Sequence, residues 1–186
     1  MTQKEVCTNA KIVFQGKVVT LNHDDVALPD GGVSKREVVH HPGGVCVAAL
    51  QGEDVYMIRQ YRYSLDKVLL ELPAGKLEKG EDPAACARRE LQEEIGLTAK
   101  EMISLGEVYP TVGYCDEIIR MYAAFDFEEE VRPQNLDEDE FLEIVKMPFE
   151  TVYQMVQSGE IKDAKTQIGI LKAAALLRQK QAAKNM

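Results

Sequence analysis

Gly75-Lys76-Leu77-Glu78-Lys79-Gly80-Glu81-Asp82-Pro83-Ala84-Ala85-Cys86-Ala87-Arg88-Arg89-Glu90-Leu91-Gln92-Glu93-Glu94-Ile95-Gly96-Leu97 concentrates the chemistry of this chain. Asp82 suits an N-cap and Pro83 the first helical position. Ala84, Ala87, Leu91 and Ile95 recur at spacings of 3, 4 and 4, which makes one apolar stripe. Gly96 suits a helix stop, so the pattern predicts a helix over 82–95. Glu90, Glu93 and Glu94 stand at i, i+3 and i+4, and the wheel places them together, away from the stripe. Three like charges at the partly negative end of a helix repel one another unless a cation compensates them. An oxygen-rich cluster of this kind favours hard divalent ions such as Mg²⁺ or Mn²⁺. Arg89 precedes Glu93 by four and can orient it, and Gly75 and Gly80 let the preceding loop come close and present its carbonyls. From these residues alone, a solvated acidic helix face is the competing reading.

Outward from the helix, strands dominate. Ala10–Phe14 and Lys17–Leu21 read as a pair around Gln15-Gly16, followed by a polar stretch with Pro29, Gly31 and Gly32. Residues 36–41, 45–50, 54–60, 103–109, 117–126 and 141–147 read as further strands, and 149–158 and 163–180 as closing helices. Strands on both sides of one embedded helix do not follow regular βαβα alternation, so the expected class is α+β with a mixed sheet.

A chain of 186 residues fits one domain with a short extra segment. It buries roughly 70% of its unfolded surface and needs no disulfide or structural metal to fold. Apolar residues at 45% and charged residues at 28% exclude a disordered chain. The net charge of −9 repels phosphate backbones, so nucleic-acid binding is not expected. An anionic substrate then needs local help from metal ions or arginines. No apolar run reaches the eighteen or so residues of a membrane span, and Met1-Thr2-Gln3-Lys4-Glu5 lacks an apolar signal core. Cys7, Cys46, Cys86 and Cys115 are well separated, as expected of reduced thiols in a cytoplasmic protein. His40 and His41 point to opposite faces of a strand and make a poor ligand pair, which argues against a histidine zinc site.

The segment 75–97 resembles the Nudix box, G-x5-E-x7-R-E-U-x-E-E-x-G-U with U a bulky aliphatic. Gly75, Glu81, Arg89, Glu90, Glu93, Glu94 and Gly96 fill the fixed positions, and Leu91 and Leu97 the aliphatic ones. Chance agreement is on the order of 10⁻⁸ per starting point. The resemblance implies a Nudix-type α/β/α sandwich with a mixed sheet and hydrolysis of a nucleoside diphosphate linked to another moiety, with Mg²⁺ (or Mn²⁺ in its place) as cofactor. Metal between an acidic protein and an acidic substrate also resolves the charge conflict.

Outside the box, Arg36-Glu37-Val38-Val39-His40-His41-Pro42-Gly43, Arg59-Gln60-Tyr61-Arg62 and Glu71-Leu72-Pro73-Ala74-Gly75 look like segments of the ADP-ribose pyrophosphatase subfamily, a pattern that GDP-sugar pyrophosphatases share. One departure stands in Tyr109-Pro110-Thr111-Val112-Gly113-Tyr114-Cys115-Asp116-Glu117, where Val112 takes a proline position and Pro110 lies two residues early. The resemblance implies metal ligation by the Ala74 carbonyl, Glu90 and Glu94, with Glu93 supporting or sharing. In Leu136-Asp137-Glu138-Asp139-Glu140 it implies Glu138 as general base and Glu140 as a further ligand, with a two-residue slip open. Arg36 and Arg62 match phosphate-binding positions, and Glu117 one that contacts the distal sugar. Residues 1–33 match an N-terminal β segment that builds a homodimer, and 34–186 the hydrolase domain. Two alternatives remain: another nucleoside diphosphate sugar such as GDP-mannose, and a non-catalytic ADP-ribose sensor.

Overall fold

The computed structural model describes residues 3–128, 131–136, 138 and 140–184. The chain divides into two units, residues 1–43 with 109–118, and residues 44–108 with 119–186.

The first unit is an antiparallel sheet centred on β3 (Thr20–Ala27). β4 (Val33–His40) pairs along its whole length, while β1 (Val6–Asn9) and β2 (Ile12–Gln15) pair with its two ends. The polar stretch after β3 is the turn of the β3–β4 hairpin. The Leu28 N–H donates to the Gly32 carbonyl at 2.8 Å, and Gly31 takes φ 87°. This pairing makes β3 and β4 one structural piece, across the division after residue 33 that the resemblance implies. The segment 109–118 adds to this unit, with the Val39 N–H on the Tyr114 carbonyl and the Asp116 N–H on the Val39 carbonyl.

The second unit carries a seven-stranded mixed sheet of β11 (Leu142–Pro148), β6 (Asp54–Arg62), β5 (Gly44–Gln51), β10 (Ile119–Phe127) and β9 (Ala99–Val108), in that order. β7 (Lys67–Glu71) pairs with β6, and β8 (Ala74–Lys76) with β5. β10 runs parallel to β5, and the other pairings found are antiparallel. β5 is apolar from Gly44 to Leu50 because both of its faces are covered there. Val45, Val47 and Ala49 pack with Cys86, Ala87, Leu91 and Ile95 of α1 (Pro83–Ile95). Cys46, Ala48 and Leu50 pack with Val152 and Val156 of α2 (Phe149–Gln157) and with Ile170 and Ala173 of α3 (Ala164–Lys184). This is the expected α/β/α sandwich.

α1 begins and ends where its signals place it. The Asp82 carboxylate accepts from the Ala84 and Ala85 N–H groups, each at 3.0 Å. Gly96 closes the helix at φ 71°, where a Cβ would stand 2.1 Å from the Arg132 carbonyl oxygen. The burial of its carboxylates differs from the helical-wheel expectation. Glu90 is 9% exposed and Glu94 only 1%. Each lies within about 100° of Leu91 around the helix, so a partner wide enough to cover the stripe covers them too.

Candidate active site

Glu94 projects toward the segment that enters β8. The Ala74 N–H donates to its Oε2 at 2.9 Å, while Oε1 is buried with no hydrogen-bond partner. Burial first, and the neighbouring Glu90 charge second, push the Glu94 carboxyl up to about 9. Burial likewise raises Glu90 to about 7. Gly75 makes room for Glu90, since a Cβ there would stand 1.8 Å from the Glu90 carboxyl carbon. Arg89 ties the surroundings together, bonding Glu90 at 2.9 Å, Glu93 at 2.8 Å, Glu81 at 2.9 Å and the Lys76 carbonyl at 3.2 Å. Its hydrogen bonds hold Glu81 down at about 2.

The structure therefore brings together Ala74, Glu90, Glu93 and Glu94. Glu140 joins them electrostatically, because its charge adds to the rise at both Glu90 and Glu94, and Gln60 Nε2 reaches its carboxylate at 3.4 Å. Glu138 is exposed, and Asp137 and Asp139 lie outside the described residues. Arg62 points into the protein, with Nε and Nη2 each 2.7 Å from the carboxylate of buried Glu71. Arg36 and Glu117 belong to the first unit. There Arg36 is bonded through two nitrogens to Glu5, and Glu117 Oε1 lies 3.5 Å from His41 Nδ1.

Among the described residues, no three carboxylate, thiol or imidazole groups form a ready metal cage. Glu90 and Glu93 are turned to Arg89, and Glu94 to the Ala74 amide. The donor set nevertheless fits a hard cation. Its side-chain donors are carboxylates, one buried oxygen lacks a partner, and two neighbouring acids are driven toward protonation by burial.

The NUDIX domain model matches residues 40–167. The chain belongs to the Nudix family. Two relatives share 43% identity with it over 159 residues, covering 85% of this chain and 86% of each relative. They are the ADP-ribose pyrophosphatase of Bacillus subtilis (strain 168) and the methanol dehydrogenase activator of Bacillus methanolicus. A solved structure of an ADP compounds hydrolase has the same fold, with a TM-score of 0.83 at 20% identity over 97% of both chains.

Sequence reasoning missed two supports of the Nudix helix. Gln134 Nε2 donates to the Glu94 carbonyl at 2.6 Å and the Asn135 N–H to the Glu93 carbonyl at 3.0 Å. These bonds satisfy carbonyls that the end of a helix leaves open. Glu71 was read only as part of an approach segment, yet it is 1% exposed and ion-paired. No local signal announces either role, since the partners come from distant segments.

Proposed function

We propose that this chain hydrolyses the diphosphate of ADP-ribose to AMP and ribose 5-phosphate in a reaction that requires a divalent metal. The observation that carries the reading is the buried Glu90–Glu94 pair with its unpartnered oxygen, in a chain 43% identical to an ADP-ribose pyrophosphatase. Glu90, Glu94, the Ala74 carbonyl and Glu140 would hold Mg²⁺, or Mn²⁺ in its place, with Glu93 supporting or sharing. The bound ion supplies neutralisation of the diphosphate and a lowered pKa for the attacking water. Glu138 takes a proton from that water as its oxygen bonds to one phosphorus. The bridging P–O bond then breaks, and the bridging oxygen leaves with the other phosphate.

Arg36, Arg62 and Glu117 bind the substrate in this reading. Arg36 holds an internal carboxylate, Glu5, so phosphate binding there exchanges one anion for another, whereas Arg62 keeps Nε and Nη2 on Glu71 and offers a phosphate its Nη1. The exposed strands β1 and β2, with Val6, Ile12 and Phe14 each more than half exposed, support a homodimer built on the N-terminal segment. Light scattering near 20.8 kDa for active protein would refute the dimer. A cytoplasmic location fits the four free cysteines.

The deciding experiment offers purified protein ADP-ribose, GDP-mannose and NADH with Mg²⁺ or with EDTA, and resolves the products by chromatography. AMP and ribose 5-phosphate from ADP-ribose, only with metal, is the expected result. Intact ADP-ribose beside hydrolysed GDP-mannose overturns the substrate. Glu138→Gln lowers kcat by about 100-fold with little change in KM, because a general base acts in the transition state. The same behaviour from Glu140→Gln instead moves the base two residues along. Equal identity to the methanol dehydrogenase activator favours a second reading, in which the chain stimulates a dehydrogenase. An alcohol dehydrogenase rate unchanged by added protein counts against it.

A further inference from the structure

Asp163, Lys165 and Thr166 at the start of α3 have no part in the reaction above, yet their bonds lead to the site. The Asp163 Oδ2 accepts the Thr166 N–H at 2.9 Å, and its carbonyl accepts the Gln167 N–H at 3.0 Å, which is an ordinary helix cap. The rest is not ordinary. Thr166 is fully buried, and its hydroxyl donates to Asp163 Oδ2 at 2.6 Å while accepting the Leu72 N–H at 2.9 Å. Lys165 Nζ bridges Asp163 Oδ1, at 2.9 Å, and the buried Glu71 carboxylate.

Four consecutive residues are thus anchored. Glu71 is held by Lys165 and Arg62, and Leu72 by Thr166. The Pro73 carbonyl accepts the Val47 N–H at 2.9 Å. The Ala74 N–H holds Glu94. Pro73 has no N–H to donate, so a regular ladder cannot run through this stretch and side chains from α3 take its place. Gly169, one turn further along, lets α3 come this close, because a Cβ there would stand 2.6 Å from Leu72 Cδ1.

We propose that Asp163, Lys165 and Thr166 are positioning residues that clamp Glu71–Leu72 from α3 and thereby set where Ala74 holds Glu94. The proposal rests on Glu94 being a ligand of the catalytic ion. It separates from a plain stabilising role because it predicts effects at Ala74 and Glu94 in protein that remains folded.

The test compares full-length wild type with Thr166→Val, Thr166→Ser and Lys165→Met. Amide hydrogen exchange at Ala74 is followed by NMR without metal, Mn²⁺ affinity by calorimetry, and kcat and KM with ADP-ribose. Thr166→Val keeps the shape and loses the bonds, and Lys165→Met keeps the length and loses the charge. Both speed Ala74 exchange and weaken Mn²⁺ binding by about tenfold, the usual scale for a group behind a metal ligand. Both lower kcat by about tenfold with KM changed less than about twofold. Thr166→Ser, which keeps the hydroxyl, matches wild type in all three. Variants that melt earlier but keep wild-type Ala74 exchange, Mn²⁺ affinity and kcat overturn the proposal. Where Thr166→Val does not fold, Lys165→Met decides. Wild-type protein that neither binds Mn²⁺ nor cuts ADP-ribose refutes the hydrolase reading instead, and Ala74 exchange still decides the clamp.

Discussion

Beside β8, Glu81, Glu90 and Glu93 share the guanidinium of Arg89, and Glu94 has a backbone N–H for one oxygen and nothing for the other. At the start of α3, two carboxylates, Glu71 and Asp163, meet two cations, Arg62 and Lys165. Both clusters are substantially buried, but only the second is balanced. The consequences show in the acids. Burial would raise Glu71, yet its bonds to Arg62 and Lys165 outweigh burial and leave it below the ordinary value. Nothing comparable answers the burial of Glu94, which rises to about 9. A balanced buried cluster ties segments together, whereas an unbalanced one leaves its acids without a matching charge.

The largest expected effect comes from removing charge at the unbalanced cluster. Glu94→Gln lowers kcat by at least about 100-fold, since metal supplies several kcal/mol of transition-state stabilisation. It leaves the metal-free protein as stable as wild type or more so, because an uncompensated buried carboxylate is gone. Steady-state rates and urea unfolding in EDTA check both halves. A near-normal rate would take Glu94 out of the proposed metal site.

The same isosteric change at the balanced cluster acts the other way. Glu71→Gln strands Arg62, leaves Lys165 with Asp163 alone and costs about 2 kcal/mol of stability, reduced from the usual figure for a broken buried pair because Arg62 is about a third exposed. Urea unfolding that finds no loss would show that the charges are not coupled.

A smaller effect separates the clusters by pH. Glu90 and Glu94, at about 7 and about 9 in the fold against an ordinary 4.5, bind more protons folded than unfolded between those values. Metal-free stability therefore falls as pH rises from about 5 to 9. Glu71, lowered in the fold, contributes stability that is present above about 4.5 and lost as pH falls further. Calorimetry in EDTA should show a melting temperature declining toward pH 9, flattened in Glu94→Gln but not in Glu71→Gln. A flat wild-type profile over that range would mean that water reaches these acids.

The smallest effect belongs to the helix that carries Glu94. Asp82→Ala removes the two capping bonds and costs about 1 kcal/mol. It keeps kcat within about twofold, since the clamp from α3 and the Gln134 and Asn135 bonds still hold the far end. A kcat loss much beyond that, at full folding, would place the cap within the catalytic geometry.

The ends of α1 were legible because caps are local, with Asp82 and Gly96 acting within four residues of themselves. The strands 45–50 and 54–60 were legible for the same reason, through apolar runs and turn residues. β1, β7 and β8 were not. β8 has three residues, and Pro73 between β7 and β8 reads as an interruption. The stretch around Gly31 reads only as polar because a hairpin turn and a linker share one composition. At the site, the wheel grouped Glu90, Glu93 and Glu94 correctly but placed all three on an open face, and only Glu93 remains half-exposed.

By itself the sequence determined which charges exist, their spacing along one helix, and where that helix starts and stops. Those follow from the 3.6-residue period and from backbone groups that only near neighbours can satisfy. Tertiary structure alone decided which acids lose water and which find a cation. Lys165 and Glu71 are 94 residues apart in the chain, as are Thr166 and Leu72. Desolvation depends on what packs over a residue, and ion pairing on what the fold carries to it. The same residue type is therefore ion-paired at Glu71 and buried with one oxygen unpartnered at Glu94.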